Sequence, residues 1–150
     1  MELPTDIIYE IIMQCNDIAF VKLMMTNREN YTFFNKISIW RNKLQLFYPS
    51  MYNEFLGNGI SSHQFFIICF RLTILKNTFD KDFGLNFLYN TEGLNIGEEH
   101  LKYANDFLYL HRLKTITYLC HTYMSDIKLP PILNQHPTLK RIIIDINYNV

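Results

Sequence analysis

"LKRIIIDIN", Leu139–Asn147, repeats the pattern of "LKTITYLCH", Leu113–His121, at an offset of 26 residues. Leu113, Ile116 and Tyr118 align with Leu139, Ile142 and Ile144, and His121 aligns with Asn147. Apolar residues at alternate positions face one side of a strand, because successive side chains of an extended backbone point in opposite directions. A strand that returns after a crossover runs in the same direction as its predecessor. The spacing therefore predicts two short strands, near Ile116–Cys120 and Ile142–Ile146, paired in parallel. "LPPILNQHP", Leu129–Pro137, then reads as the helical turn that carries the chain from one strand to the next.

The L-x-x-L-x-L-x-x-N spacing resembles a leucine-rich repeat, whose period is roughly 20–29 residues. In that pattern the Asn side chain bonds backbone at the turn. Asn147 keeps it, and His121 stands in its place in the first copy. The resemblance implies a small two-repeat end packed on the helices that precede it.

Before the repeats, "SSHQ" has the form of a capping box, with Ser61 as cap and Gln64 three positions on. The helix it starts, Phe65 to about Asn77, is apolar nearly all round and is expected to be buried. Gly57 and Gly59 make the loop before it. Between Asp80 and Gly97, "FGLNFLYN" reads as strand-like and "TEGLNIG" as loop-like. Glu98 and Glu99 suit the first turn of a helix running towards Leu108.

At the N-terminus, "LPTDIIYEII" places Pro4 at a first helical position and Asp6 in the first turn. Ile7, Ile8, Ile11, Ile12 and Cys15 form an apolar stripe at helical spacing. Asn16 and Asp17 read as the cap of a second helix, with Phe20, Leu23 and Met24 on its stripe and Ile18 and Val21 beside it. A third helix is expected from Thr26 or Asn27, carrying Tyr31, Phe33 and Phe34. "ISIWRNKLQLFYP" follows, and Pro49 closes the segment.

This order, Leu3-Pro4, "DIIYEII", "DIAFVKLMMTNRENY" and "SIWRNKL", resembles an F-box, over Leu3 to about Pro49. Many members carry a Trp in the third helix, where this chain has Tyr31. The resemblance implies a protein-interaction adaptor that binds a Skp-family partner of a cullin–RING ubiquitin ligase. Partner contact would fall to Leu3, Pro4, Ile7, Ile8, Ile11 and Leu23, with Trp40 supporting the packing of the module. The C-terminal part would hold a protein target. An F-box-like start with degenerate repeats is similar to proteins encoded by large DNA viruses, and would act inside the host cell, in cytoplasm or nucleus. The competing reading is a structural or virion-associated interaction module that recruits no ligase.

Composition sets the outer limits. The chain has 150 residues, 49% of them hydrophobic, which is ample for a packed core. Its 14 basic and 14 acidic residues cancel. Nucleic-acid binding by phosphate neutralisation needs clustered basic residues. The nearest cluster, Lys36, Arg41 and Lys43, reads as a solvated face, so no nucleic acid is expected. The longest apolar run, "FFIICF", Phe65–Phe70, is far short of the about 20 residues needed to span a bilayer. Glu2 and Pro4 are out of place in a secretory signal. Cys15, Cys69 and Cys120 are expected to be reduced and buried, with no metal. The histidines form no ligand motif, adjacent Cys120 and His121 point to opposite faces, and no glycine-rich phosphate loop occurs. No catalytic residue, metal or cofactor is expected.

The expectation is thus a mainly α, α+β chain: an F-box-like module over residues 1–49, a helical region over 50–109 and a repeat segment over 110–150.

Overall fold

The computed structural model describes residues 5–26, 39–120 and 128–146. The fold is mixed, with six α-helices and one three-stranded parallel sheet among these residues. It forms two compact units, Met1–Phe70 and Arg71–Val150, whose boundary falls inside a helix.

In the first unit α1 spans Thr5–Gln14, α2 Asp17–Thr26, α3 Ile39–Phe47 and α4 Tyr52–Leu56, and α5, Ser62–Lys76, begins there. The caps follow the sequence. Asn16 Oδ1 accepts the Ala19 N–H at 2.8 Å, and Ser61 Oγ accepts the Gln64 N–H at 3.2 Å. Pro49 opens a 3₁₀ turn, Pro49–Met51, directly after α3, where its missing N–H costs nothing. The expected third helix over Tyr31, Phe33 and Phe34 lies outside the described residues.

The core of this unit is aromatic. Phe20 from α2, Trp40 from α3 and Phe66 from α5 meet edge to face, with centroids 4.6, 5.2 and 5.6 Å apart. Ile39, Leu44, Met51 and Phe65 complete it with no exposed surface. Such ring pairs contribute about 0.5–1.5 kcal/mol each beyond the area they bury.

In the second unit, the end of α5 buries Leu72 and Leu75. The stretch after it departs from expectation. "FGLNFLYN" is helical, with α6 at Leu85–Asn90, and "TEGLNIG" supplies a strand, β1, at Gly93–Ile96. Phe83, Leu85, Phe87 and Tyr89 alternate as in a strand, but Leu85, Leu88 and Tyr89 recur at helical spacing, and Leu88 and Tyr89 are the pair the helix buries. Glu98–Tyr109 winds as 3₁₀ turns with a break at Tyr103, β2 is Thr115–Cys120, a 3₁₀ turn covers Pro131–Gln135, and β3 is Arg141–Ile146.

The sheet order is β1-β2-β3, parallel throughout. Ile116 pairs with Ile142 and Tyr118 with Ile144, the alignment read from the repeat. Leu94 and Ile96 pair with Ile116 and Tyr118, so a strand 22 residues before β2 belongs to the same series. The docking of one strand on the next also recurs. The Glu92 carbonyl accepts the N–H groups of Lys114 and Thr115 at 2.8 and 3.0 Å, and the Lys114 carbonyl accepts those of Lys140 and Arg141 at 2.8 and 3.1 Å.

Candidate functional site

The residues expected to face a partner lie in different surroundings. Ile7 and Ile11, one helical turn apart, are 45% and 50% exposed. Ile18, at the start of α2, is 52% exposed, although the apolar pattern set it beside the buried stripe. Leu23 is half-buried on α2, and Trp40 is 2% exposed in the core. Trp40 therefore packs, and Ile7 and Ile11 face solvent. Leu3 and Pro4 lie outside the described residues, as does the side chain of Ile8.

The junction that sets the angle between α1 and α2 is held from α3. Lys43, expected on a solvated face, has no exposed surface. Its Nζ donates to the Cys15 carbonyl at 2.6 Å, satisfying backbone just past the end of α1. The ammonium lies 4.5 Å from the Phe47 ring centroid and 5.4 Å from that of Phe20. Burial lowers its pKa below the ordinary lysine value, against the opposing pull of Cys15 and Asp17. Tyr48 Oη donates to Asp17 Oδ2 at 2.8 Å and ties the cap of α2 to the same support. Cys15, expected to be buried, is half-exposed, at the position just past the helix that carries the exposed Ile7 and Ile11. Cys69 and Cys120 are buried.

The outer face of the sheet is a second surface. Asn95, Thr117 and Ile143 form one cross-strand row and Thr115 and Arg141 another, with Leu119 beside Asp145 beyond them. Leu119 and Ile143 are its exposed apolar members.

A cleft of about 260 Å³ opens at the C-terminal ends of β1 and β2, lined in part by Glu98, Glu99, His100, Tyr118 and Cys120. His100 is committed to structure. Its Nδ1 accepts the Gly97 N–H at 2.9 Å, which leaves Nε2–H to donate to the Thr78 carbonyl at 3.2 Å, and its ring stacks on Phe79. Burial, with Cys120, Glu98 and Glu99 nearby, raises the Tyr118 hydroxyl above its usual pKa. His100 is thus not free to activate Cys120, and His121 lies outside the described residues. No group of three or more His, Cys, Asp or Glu among the described residues is placed to hold a metal, and no helix among them is long and apolar enough to cross a membrane.

Compared with known proteins, the chain matches no family model, no curated protein and no solved structure.

Proposed function

We propose that the chain is a non-enzymatic adaptor: an F-box-like substrate receptor that docks a Skp-family partner of a cullin–RING ubiquitin ligase through α1 and holds a protein target with its C-terminal repeats. The observation that carries this reading is the exposure of Ile7 and Ile11 on a helix whose far end is locked by a buried lysine. Two large aliphatic side chains on one turn of a braced helix suit an apolar groove better than water. The host-cell setting of a large DNA virus belongs to the same proposal.

The experiment is a pull-down of the whole chain from eukaryotic lysate, probed for the Skp-family adaptor and cullin. Both should co-purify stoichiometrically. Ile7→Asp with Ile11→Asp should weaken the interaction at least roughly thirtyfold, because apolar anchors at the centre of an interface contribute about 2 kcal/mol or more. The melting temperature should change little, since neither side chain is in the core. A wild-type chain that captures neither protein returns the function to the structural or virion-associated module. A double variant that unfolds returns α1 to a purely structural role.

A further inference from the structure

The two edges of the sheet are not alike. On β1 the inward residues Leu94 and Ile96 are 8% and 1% exposed. On β3 the inward Ile142, Ile144 and Ile146 are only half-buried, although their β2 neighbours Ile116, Tyr118 and Cys120 are buried. No described strand pairs with the outer edge of β3. Natural edges are usually guarded by proline, a bulge or an inward-pointing charge. "RIIIDI" has no proline, keeps continuous register with β2, and points isoleucine inward at every alternate position.

The direction of the backbone groups limits what can pair there. Arg141 N–H donates to the Lys114 carbonyl, so Arg141, Ile143 and Asp145 turn their peptide groups toward β2. Ile142, Ile144 and Ile146 turn theirs outward. An antiparallel neighbour bonds through directly opposed residues that both point outward. A second β3 with Ile143 on the two-fold axis meets this condition: Ile142 faces Ile144 of the second copy, and the reverse, each pair exchanging both N–H···O bonds. The same register puts Arg141 opposite Asp145 of the second copy on the solvent face, twice, with Ile143 against Ile143 between them. Backbone parity, charge and apolar stripe agree in one register.

We propose that β3 is the seam of a two-fold homodimer, in which two chains join their sheets antiparallel about Ile143. The proposal is independent of the adaptor reading. Sedimentation of the whole chain from about 5 to 200 µM should show a concentration-dependent dimer, the range in which a small, strand-mediated interface associates. Arg141→Asp or Asp145→Arg alone sets like charges opposite one another and should weaken the dimer roughly tenfold or more. The double swap R141D/D145R should restore it to within about threefold, as should mixing the two single variants. Ile144→Pro removes an outward N–H without touching the bonds to β2, and should give a monomer with unchanged circular dichroism. A chain that stays monomeric throughout the range overturns the proposal, as does a dimer indifferent to these changes or a double swap no tighter than the singles. If the proline variant fails to fold, the charge swap decides.

Discussion

A lysine with no exposed surface is costly unless its ammonium finds partners, and Lys43 finds a carbonyl and two aromatic faces. Its place was legible in the sequence, since residues 39, 40, 43, 44 and 47 fall on one side of a helix. Reading Lys43 together with Lys36 and Arg41 as a charge cluster, instead of with Ile39, Trp40, Leu44 and Phe47 as a face, hid this. Cys69 is the converse case, an apolar context read correctly. Burial pushes its thiol from 9.0 up to about 12. The folded chain therefore keeps a proton that the unfolded chain releases above pH 9. Its contribution to stability is complete below that pH and is lost as pH rises toward 12. In urea unfolding between pH 9 and 11, the wild type should lose up to about 1.4 kcal/mol per pH unit more than Cys69→Ala. Tyr118 titrates in the same direction but cancels in the comparison. Equal pH slopes for the two chains would show that Cys69 is hydrated.

At the scale of elements, the repeats were visible where alternation ran for six residues and invisible where it ran for four. β2 and β3 announce themselves by an equal Leu-Lys start and a shared offset. β1 offers only Leu94 and Ile96, too short a pattern to separate from a loop, and it becomes a strand because β2 supplies its hydrogen bonds. The latch before β3 was likewise out of reach, being made by residues far apart in the chain. His136 Nδ1 accepts the N–H groups of Thr138 and Leu139 at 3.2 Å, so Nε2–H donates to the Phe107 carbonyl at 2.8 Å. Thr138 Oγ1 donates to the Leu113 carbonyl at 2.7 Å. His136→Ala takes the acceptor from the part-buried N–H groups of Thr138 and Leu139, while the Phe107 carbonyl keeps the Leu110 N–H, and should cost about 2 kcal/mol in denaturant unfolding, against about 1 kcal/mol for Thr138→Val. Equal costs would mean that the imidazole only fills space.

For the molecule as a whole, composition and pattern gave the mixture of helices with a small parallel sheet, and the caps at Asn16 and Ser61. They did not give the division into two units, because the boundary lies inside an unbroken helix. The helix from Phe65 to about Asn77 reads as one apolar element, yet Phe65 and Phe66 belong to one core, and Leu72 and Leu75, a few residues on, belong to the other. The first of these cores also carries an optical gauge. Trp40 is the chain's single tryptophan, its indole Nε1 is buried with no hydrogen-bond partner among the described residues, and the His63 ring lies edge-on at 4.7 Å. A buried indole whose N–H has no hydrogen-bond partner emits toward the blue, and an imidazolium in contact quenches it. Burial holds His63 below the ordinary 6.5, so the unfolded chain takes up that proton first and stability declines as pH falls below this value. Emission should accordingly stay constant down to pH 6.5 and dim only below it, and His63→Gln should abolish the dimming. Colour then reports whether the core is closed, and brightness reports whether His63 has taken its proton.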